Sequence, residues 1–209
     1  NIISLAKLAR RDLRGREGAA ERDLSQIAQE GERCGRIVRG VLTFSRKYEP
    51  IPEPTRLAAV AREAAAAVRE DCEARGVSID VKAAEDVQEI AADRAQIRQV
   101  IENVLRNAVQ ASRPSQAVSV AIDEHAAESG FQTIEIVDRG CGIAPEHLPR
   151  VFDPFFTTKP VGAGTGLGLS VCYGIVQAHG GTIRIESRPG EETRCTIALP
   201  AAVRGAAIK

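Results

Sequence analysis

From Leu24 onward the chain sets an apolar or small residue at alternating intervals of three and four, through Ile27, Gly31, Cys34, Val38 and Val41 to Ser45, with Ile37 and Leu42 widening the stripe. That spacing predicts a long amphipathic helix with a heptad seam. Ile2, Leu5 and Leu8, with Ile3 and Ala9, form a second, shorter apolar face, and RGREGAA between the two supplies a glycine-bearing turn. Residues 1–48 therefore read as an antiparallel helical hairpin. Two helices bury too little surface to stand alone. A second copy would complete a four-helix bundle, so a homodimer is the economical expectation and packing on the downstream domain the alternative. The periodicity stops at EPIPEPT, residues 49–55, which reads as a linker before a second domain over 56–209.

The pattern then changes. TRLAAVAREAAAAVREDCEARG predicts an alanine-rich helix ended by Gly76, and VSIDVKA alternates as a strand. Asp93 with Gln96 three residues on makes a capping pair for DRAQIRQVIENVLRNAVQAS. Ile97, Val100, Ile101, Val104, Leu105 and Ala108 form the buried face of that helix, while Gln96, Gln99, Asn103, Asn107 and Gln110 follow one flank. Asparagines at i and i+4 point the same way, and their neutral oxygens suit a hard cation or ordered water; solvated surface is the plainer reading. Two strands follow, AVSVAIDE and FQTIEIVD, joined by a turn around Glu128 to Gly130. Asp138 ends the second strand, with Gly140 and Gly142 freeing the backbone after it. A carboxylate there accepts from an exocyclic amine, or simply closes an Asx turn. PRVFDPFFTTKPVGAGTG holds three of the five phenylalanines beside prolines and glycines. It is too punctuated for a regular element and reads as a long, mobile flap.

The densest signal is GAGTGLGLS at residues 162–170. Glycines in such number mark a sharp turn or a close approach to a ligand, since each costs about 0.5–1 kcal/mol inside an element. The spacing fits neither the P-loop nor G-x-G-x-x-G. Gly166 and Gly168 instead open a helix running to about Ala178 and stopped by Gly180 and Gly181. The free N–H groups and positive dipole end of that helix would face whatever the flap encloses, as a phosphate cradle does.

Charge and cysteine content narrow the classes. Lys plus Arg equals Asp plus Glu at 28 each, so no overall field favours nucleic acid or an anionic membrane. The cysteines at 34, 72, 141, 172 and 195 are odd in number and lack a C-x-x-C, against both a disulfide framework and a zinc site and in favour of a reducing cytoplasm. No run approaches the roughly 20 apolar residues that span a bilayer. The chain opens at NIISLAKLARRDL without an initiator methionine and reads as part of something longer, which a membrane segment upstream would anchor.

ENVLRNAVQA, DRGCGIAPEHLPRVFDPFFTTK and GAGTGLGLSVCYGIVQAHGGTI, in this order and at these separations, resemble the N, G1, F and G2 boxes of sensor histidine kinases. These kinases share an ATPase superfamily with DNA gyrase, MutL-type repair proteins and the large heat-shock chaperones. The flap and glycine run are most similar to the nitrogen-regulation-like group. The resemblance implies an α+β fold: the hairpin as half of a dimeric four-helix bundle, then a Bergerat-type α/β sandwich with a mixed sheet. It implies ATP with adenine on Asp138 beside Gly140 and Gly142, and the triphosphate under Gly164, Thr165, Gly166, Leu167 and Gly168. Mg²⁺ would be bridged to the phosphates by Asn107, and Lys159 would approach them from the flap. Asn103 stands where gyrase-type enzymes carry a glutamate base for water, so hydrolysis would go unassisted and the γ-phosphate be kept for a histidine, then for a response-regulator receiver domain.

Some features depart from that pattern. Residues 1–50 contain no histidine, although the phosphoacceptor belongs on the first hairpin helix, so the acceptor is expected upstream of Asn1. His125, His147 and His179 read as structural or surface residues. Glu192 and Cys195 replace a common glycine and phenylalanine in the last box. Cys141 reads as a small space-filling residue, with a thiol switch as the alternative. A nucleotide-binding scaffold and a hydrolytic ATPase remain the other functional classes.

Overall fold

A computed structural model describes residues 24, 25, 27, 28 and 31, then 49–83, 89–123, 130–160 and 164–201. Leu24, Ser25, Ile27, Ala28 and Gly31 are helical; the rest of the expected hairpin, and His125, lie outside the described residues. The second domain runs β1 (Glu53–Thr55), α1 (Leu57–Ala67), α2 (Arg69–Arg75), β2 (Ser78–Lys82), β3 (Ile90–Ala92), α3 (Arg94–Ala111), β4 (Ala117–Asp123), β5 (Phe131–Asp138), α4 (Gly168–Ala178), β6 (Thr182–Arg188) and β7 (Glu192–Pro200). The fold is α+β, a helical layer on a mixed sheet. Five strands pair in the order β2-β4-β5-β7-β6, with β2 parallel to β4 and the other neighbours antiparallel.

Helix α3 is the centre of the helical layer. Asp93 caps it as spacing requires, Oδ1 accepting the Gln96 N–H at 3.1 Å and Oδ2 the Gln96 side-chain amide at 3.0 Å. Its inner face meets α1, α4 and the sheet. Ile97, Ile101 and Leu105 are fully buried, which contributes about 1.5–3 kcal/mol per side chain. On α1 the inner positions are small, Ala58, Ala61 and Ala64 beside Leu57 and Val60, so its backbone packs close to α3.

Two local features differ from expectation. The alanine-rich helix is interrupted at Val68, whose φ of −102° and ψ of 11° leave helical geometry while its side chain stays fully buried; tertiary packing outweighs the local propensity of the alanine run. Residues 53–55, expected as linker, form strand β1, paired antiparallel with β3 from Glu53↔Ala92 to Thr55↔Ile90. Thr55 is buried and donates to the Ala92 carbonyl at 3.2 Å. The last box does form a hairpin, β6 on β7 from Thr182↔Ala198 to Arg188↔Glu192, with Cys195 buried in the core. Among the described residues no helix is long and apolar enough to cross a membrane.

Candidate functional site

Strand parity decides where Asp138 goes. Gln132, Ile134, Ile136 and Asp138 are the buried positions of β5, so the two-residue period carries a carboxylate into the layer occupied by two isoleucines. Asp138 is 5% exposed. Its Oδ1 accepts the Gly140 N–H at 3.0 Å, an Asx turn. No second hydrogen bond to the carboxylate exists among the described residues, so one oxygen is committed to the turn and the other is available to a ligand. Burial pushes its pKa up to about 6, against the pull of the Gly140 N–H, with Glu192 adding to the rise. A Cβ on Gly140 would lie 2.2 Å from the Ala111 carbonyl oxygen. Only glycine therefore lets the loop after β5 close on the end of α3, where Cys141 N–H donates to that same carbonyl at 3.2 Å.

The flank of α3 supplies the carboxamides. Asn107 Oδ1 accepts the Lys159 ammonium at 3.0 Å, and Gln110 Oε1, one turn on, accepts from the same nitrogen. Burial holds the Lys159 pKa below its ordinary value, with Arg75 adding to the depression. Asn103 sits against α4: burial pushes the Cys172 thiol up to about 12, opposed by a hydrogen bond from Asn103.

Helix α4 starts where its glycines allow. Gly166 has φ +66°, and a Cβ there would meet the Phe155 carbonyl carbon at 2.3 Å, so the flap backbone lies directly on the helix entry. Leu167 is buried and its N–H donates to Thr165 Oγ1 at 3.3 Å. In the flap, Leu148–Arg150 form a 3-10 turn. Phe156 is held in the flap by the His147 ring, 5.6 Å between centroids, and by Arg150, whose guanidinium carbon lies 4.5 Å from the ring centre. Phe155 is 58% exposed with φ +66°.

One cavity of about 420 Å³ is lined by Asn103, Asn107, Asp138, Gly142, Lys159, Thr165, Gly166 and Gly168 together. Gly140, Gly164 and Leu167 do not line it. Gly140 is behind it against Ala111, Gly164 against Thr157 and the Lys159 stem, and Leu167 in the core. Among the described residues Asp138 is its sole carboxylate. Gln110, Thr157, Thr158 and Phe156, to which sequence reasoning gave no role, also line it, as does His147, expected as a structural or surface residue; of these only Gln110 carried a signal, its place on the Asn107 flank. His179 is structural, as expected: Nε2 accepts the Asp93 N–H.

The donor set fits a nucleotide with a divalent ion. Among the described residues no group of three or more His, Cys, Asp or Glu forms a metal cage, and Mg²⁺ typically takes one or two protein oxygens plus phosphate oxygens and water. Asn107 Oδ1 already holds a positive charge in the Lys159 ammonium. Gly168 leaves open space around its Cβ position, at a helix N-terminus whose first N–H groups have no intrahelical acceptor.

A family profile described as "Histidine kinase-, DNA gyrase B-, and HSP90-like ATPase" matches residues 92–203. The chain is 34% identical over 185 residues to the sensor histidine kinase ZraS of Escherichia coli (strain K12), which covers 88% of this chain and 38% of that protein. It is 33% identical over 177 residues to the signal transduction histidine-protein kinase AtoS of the same strain, 85% of this chain and 28% of that protein. It thus spans two fifths or less of these relatives. Among solved structures, the mycobacterial sensor histidine kinase MprB superposes with TM-score 0.62 at 28% identity, over 72% of this chain and 98% of that one. Full-length ShkA in complex with AMPPNP superposes with TM-score 0.78 at 23% identity, over 97% of this chain and 43% of that one, a likeness of fold.

Proposed function

The chain belongs to the histidine kinase-, DNA gyrase B- and HSP90-like ATPases, as a sensor histidine kinase with its ATP-binding domain, and on that premise we propose that residues 56–209 bind Mg-ATP and deliver the γ-phosphate to a histidine on a dimeric helical hairpin. From there the phosphoryl group passes to an aspartate of a response-regulator receiver domain. The observation that carries this reading is the convergence of the Asp138 carboxylate, the Asn107 carboxamide and the α4 N-terminus on one cavity.

Each group has a chemical task. The free oxygen of Asp138 accepts from the exocyclic amine of adenine, while Gly142, where a Cβ would strike the Arg188 carbonyl oxygen at 2.4 Å, keeps the loop after β5 packed on the β6–β7 turn so that it lines the ring's side of the cavity. The α4 N-terminus receives phosphate oxygens through N–H groups and dipole, and Lys159 adds a positive charge from the flap. Asn107 would hold Mg²⁺, which when bound would neutralise phosphate charge. Phosphoryl transfer needs positioning and charge neutralisation more than covalent help, and these residues provide both.

Transfer is favoured over hydrolysis by the character of the lining. Among the described residues Asp138 is the cavity's one carboxylate and its Oδ1 is tied to Gly140, the His147 imidazole is packed on Phe156 in the flap, and Asn103 on the α3 flank is a neutral amide that takes no proton from water. Residues 1–50 hold no histidine, so we place the acceptor imidazole on a hairpin helix upstream of Asn1. The test is to incubate a longer protein carrying that helix with γ-labelled Mg-ATP. Acid-labile, base-stable label on the hairpin is the expected result. Steady phosphate release without labelling would support the hydrolytic ATPase, and tight nucleotide binding with neither would support the scaffold.

A further inference from the structure

Lys159 has an unusual pair of partners. Its ammonium donates to Asn107 Oδ1 at 3.0 Å and to Gln110 Oε1, and no carboxylate pairs with it among the described residues. Asn107 and Gln110 stand three apart on α3, so a single helical turn presents both oxygens to one cation. Gln110 is also the meeting point of a second positive group, because Arg75 donates to its backbone carbonyl at 3.3 Å. Two cations thus share one glutamine, and among the described residues neither forms an ion pair with a carboxylate. The path of the lysine stem is shaped too: the Lys159 N–H donates to Thr157 Oγ1 at 3.2 Å. A Cβ on Gly164 would lie 3.2 Å from Lys159 Cδ and 3.0 Å from Thr157 Oγ1.

We propose that Gln110 is a positioning residue which, with Asn107, forms a two-oxygen seat for the Lys159 ammonium in the nucleotide-free protein, fastening the flap to α3 and occupying the oxygen that Mg²⁺ takes. This rests on the Mg-ATP reading above. Neutral oxygens accept hydrogen bonds that are charge-assisted from the donor side only, weaker than those an ammonium makes to a carboxylate or phosphate, which suits a seat that must be given up. When Mg-ATP arrives, the divalent ion competes for Asn107 Oδ1 and repels the ammonium at close range, while the phosphates offer it full negative charge. Lys159 then leaves the carboxamides for the phosphates, and the flap moves with it. Gln110 would thereby set the ease with which the flap releases.

The experiment is amide exchange of residues 155–160 in Gln110→Ala, Gln110→Glu, Lys159→Met and the two double variants, each checked for native far-UV circular dichroism. Without nucleotide, Gln110→Ala and Lys159→Met should each speed exchange about fivefold or more, and together no more than the larger single effect. Gln110→Glu should slow it, since the seat becomes an ion pair, and Lys159→Met should erase that slowing. With saturating Mg-ATP, Gln110→Ala and the parent protein should exchange alike. Additive effects, or changes below twofold, would overturn the seat. If the parent protein shows no Mg-ATP binding by calorimetry, the nucleotide reading falls by itself, and the nucleotide-free exchange still decides the seat.

Discussion

His179 Nε2 accepts the backbone N–H of Asp93 at 3.0 Å, so the last turn of α4 is tied to the residue that caps α3. The other ring nitrogen, Nδ1, lies 2.8 Å from the Ile175 carbonyl, which assigns the proton to Nδ1 and leaves Nε2 as acceptor. The two helices that frame the cavity are thereby joined end to end, away from the cavity itself. His179→Ala leaves the part-buried Asp93 N–H unpaired and should destabilise the domain by about 1–3 kcal/mol. Urea denaturation measures the loss, and nucleotide affinity in native buffer should change less than threefold.

Asp138 sets opposite pH trends for folding and binding. Its carboxyl titrates near 6 in the folded protein because burial disfavours the charge, against about 3.9 in an unfolded chain. A folded pKa above the unfolded one means the folded state holds the proton more tightly. The stabilisation is fully present below about pH 4 and is lost as pH rises through 6. Binding runs the other way, because protonating the free oxygen turns an acceptor into a donor facing the adenine amine. Adenosine, which carries no phosphate to titrate, should therefore bind more weakly as pH falls from 7 to 5. Asp138→Asn should abolish binding at every pH while leaving the melting temperature at pH 8 equal or higher. Unchanged adenosine affinity in that variant would remove Asp138 from the base-binding role.

Asn107 is expected to separate metal-dependent from metal-independent binding. Asn107→Ala removes the carboxamide oxygen, so ATP affinity in the presence of Mg²⁺ should fall at least tenfold more than affinity measured in EDTA. Equal losses in the two buffers would make the residue an anchor for Lys159 and nothing more. Paired calorimetric titrations distinguish the outcomes.

The parts of this fold that sequence discloses are those governed by a local period. The Asp93 and Gln96 cap, the inner face of α3 and the alternation of β5 all follow from spacing within one element, and so does the burial of Asp138 at the end of that strand. Pairings between distant segments have no such local mark. Strand β1 has three residues, one of them proline, too few for an alternation, and it forms because β3 offers an edge. The parallel pairing of β2 with β4 depends on the helices and strands between them. The seat of Lys159 is similar: spacing aligns Gln110 with Asn107 on α3, but nothing local tells which cation crosses 49 residues to reach it.

Two glycines three positions or fewer from the α4 start should respond to the same substitution in opposite ways. Gly166 has φ +66°, and a Cβ there would strike the Phe155 backbone at 2.3 Å. Gly166→Ala must shift the flap and adopt a left-handed conformation, which costs about 1–2 kcal/mol for the backbone alone, so the melting temperature should drop. Gly168 is the first residue of α4 and has nothing within 4 Å of its Cβ position. Alanine fits there without strain and narrows the unfolded ensemble, so Gly168→Ala should leave stability unchanged or raise it by up to about 1 kcal/mol. Gly168 also lines the cavity, and a methyl group there occupies the space in which phosphate oxygens would reach the helix N–H groups. A loss of ATP affinity of at least tenfold is expected in Gly168→Ala, with adenosine affinity nearly unchanged, because the proposed partner of the base is Asp138 and not the start of α4. Thermal melts and calorimetry on the two variants separate folding from binding. If Gly168→Ala binds ATP as the parent does, the phosphates do not lie against the start of α4.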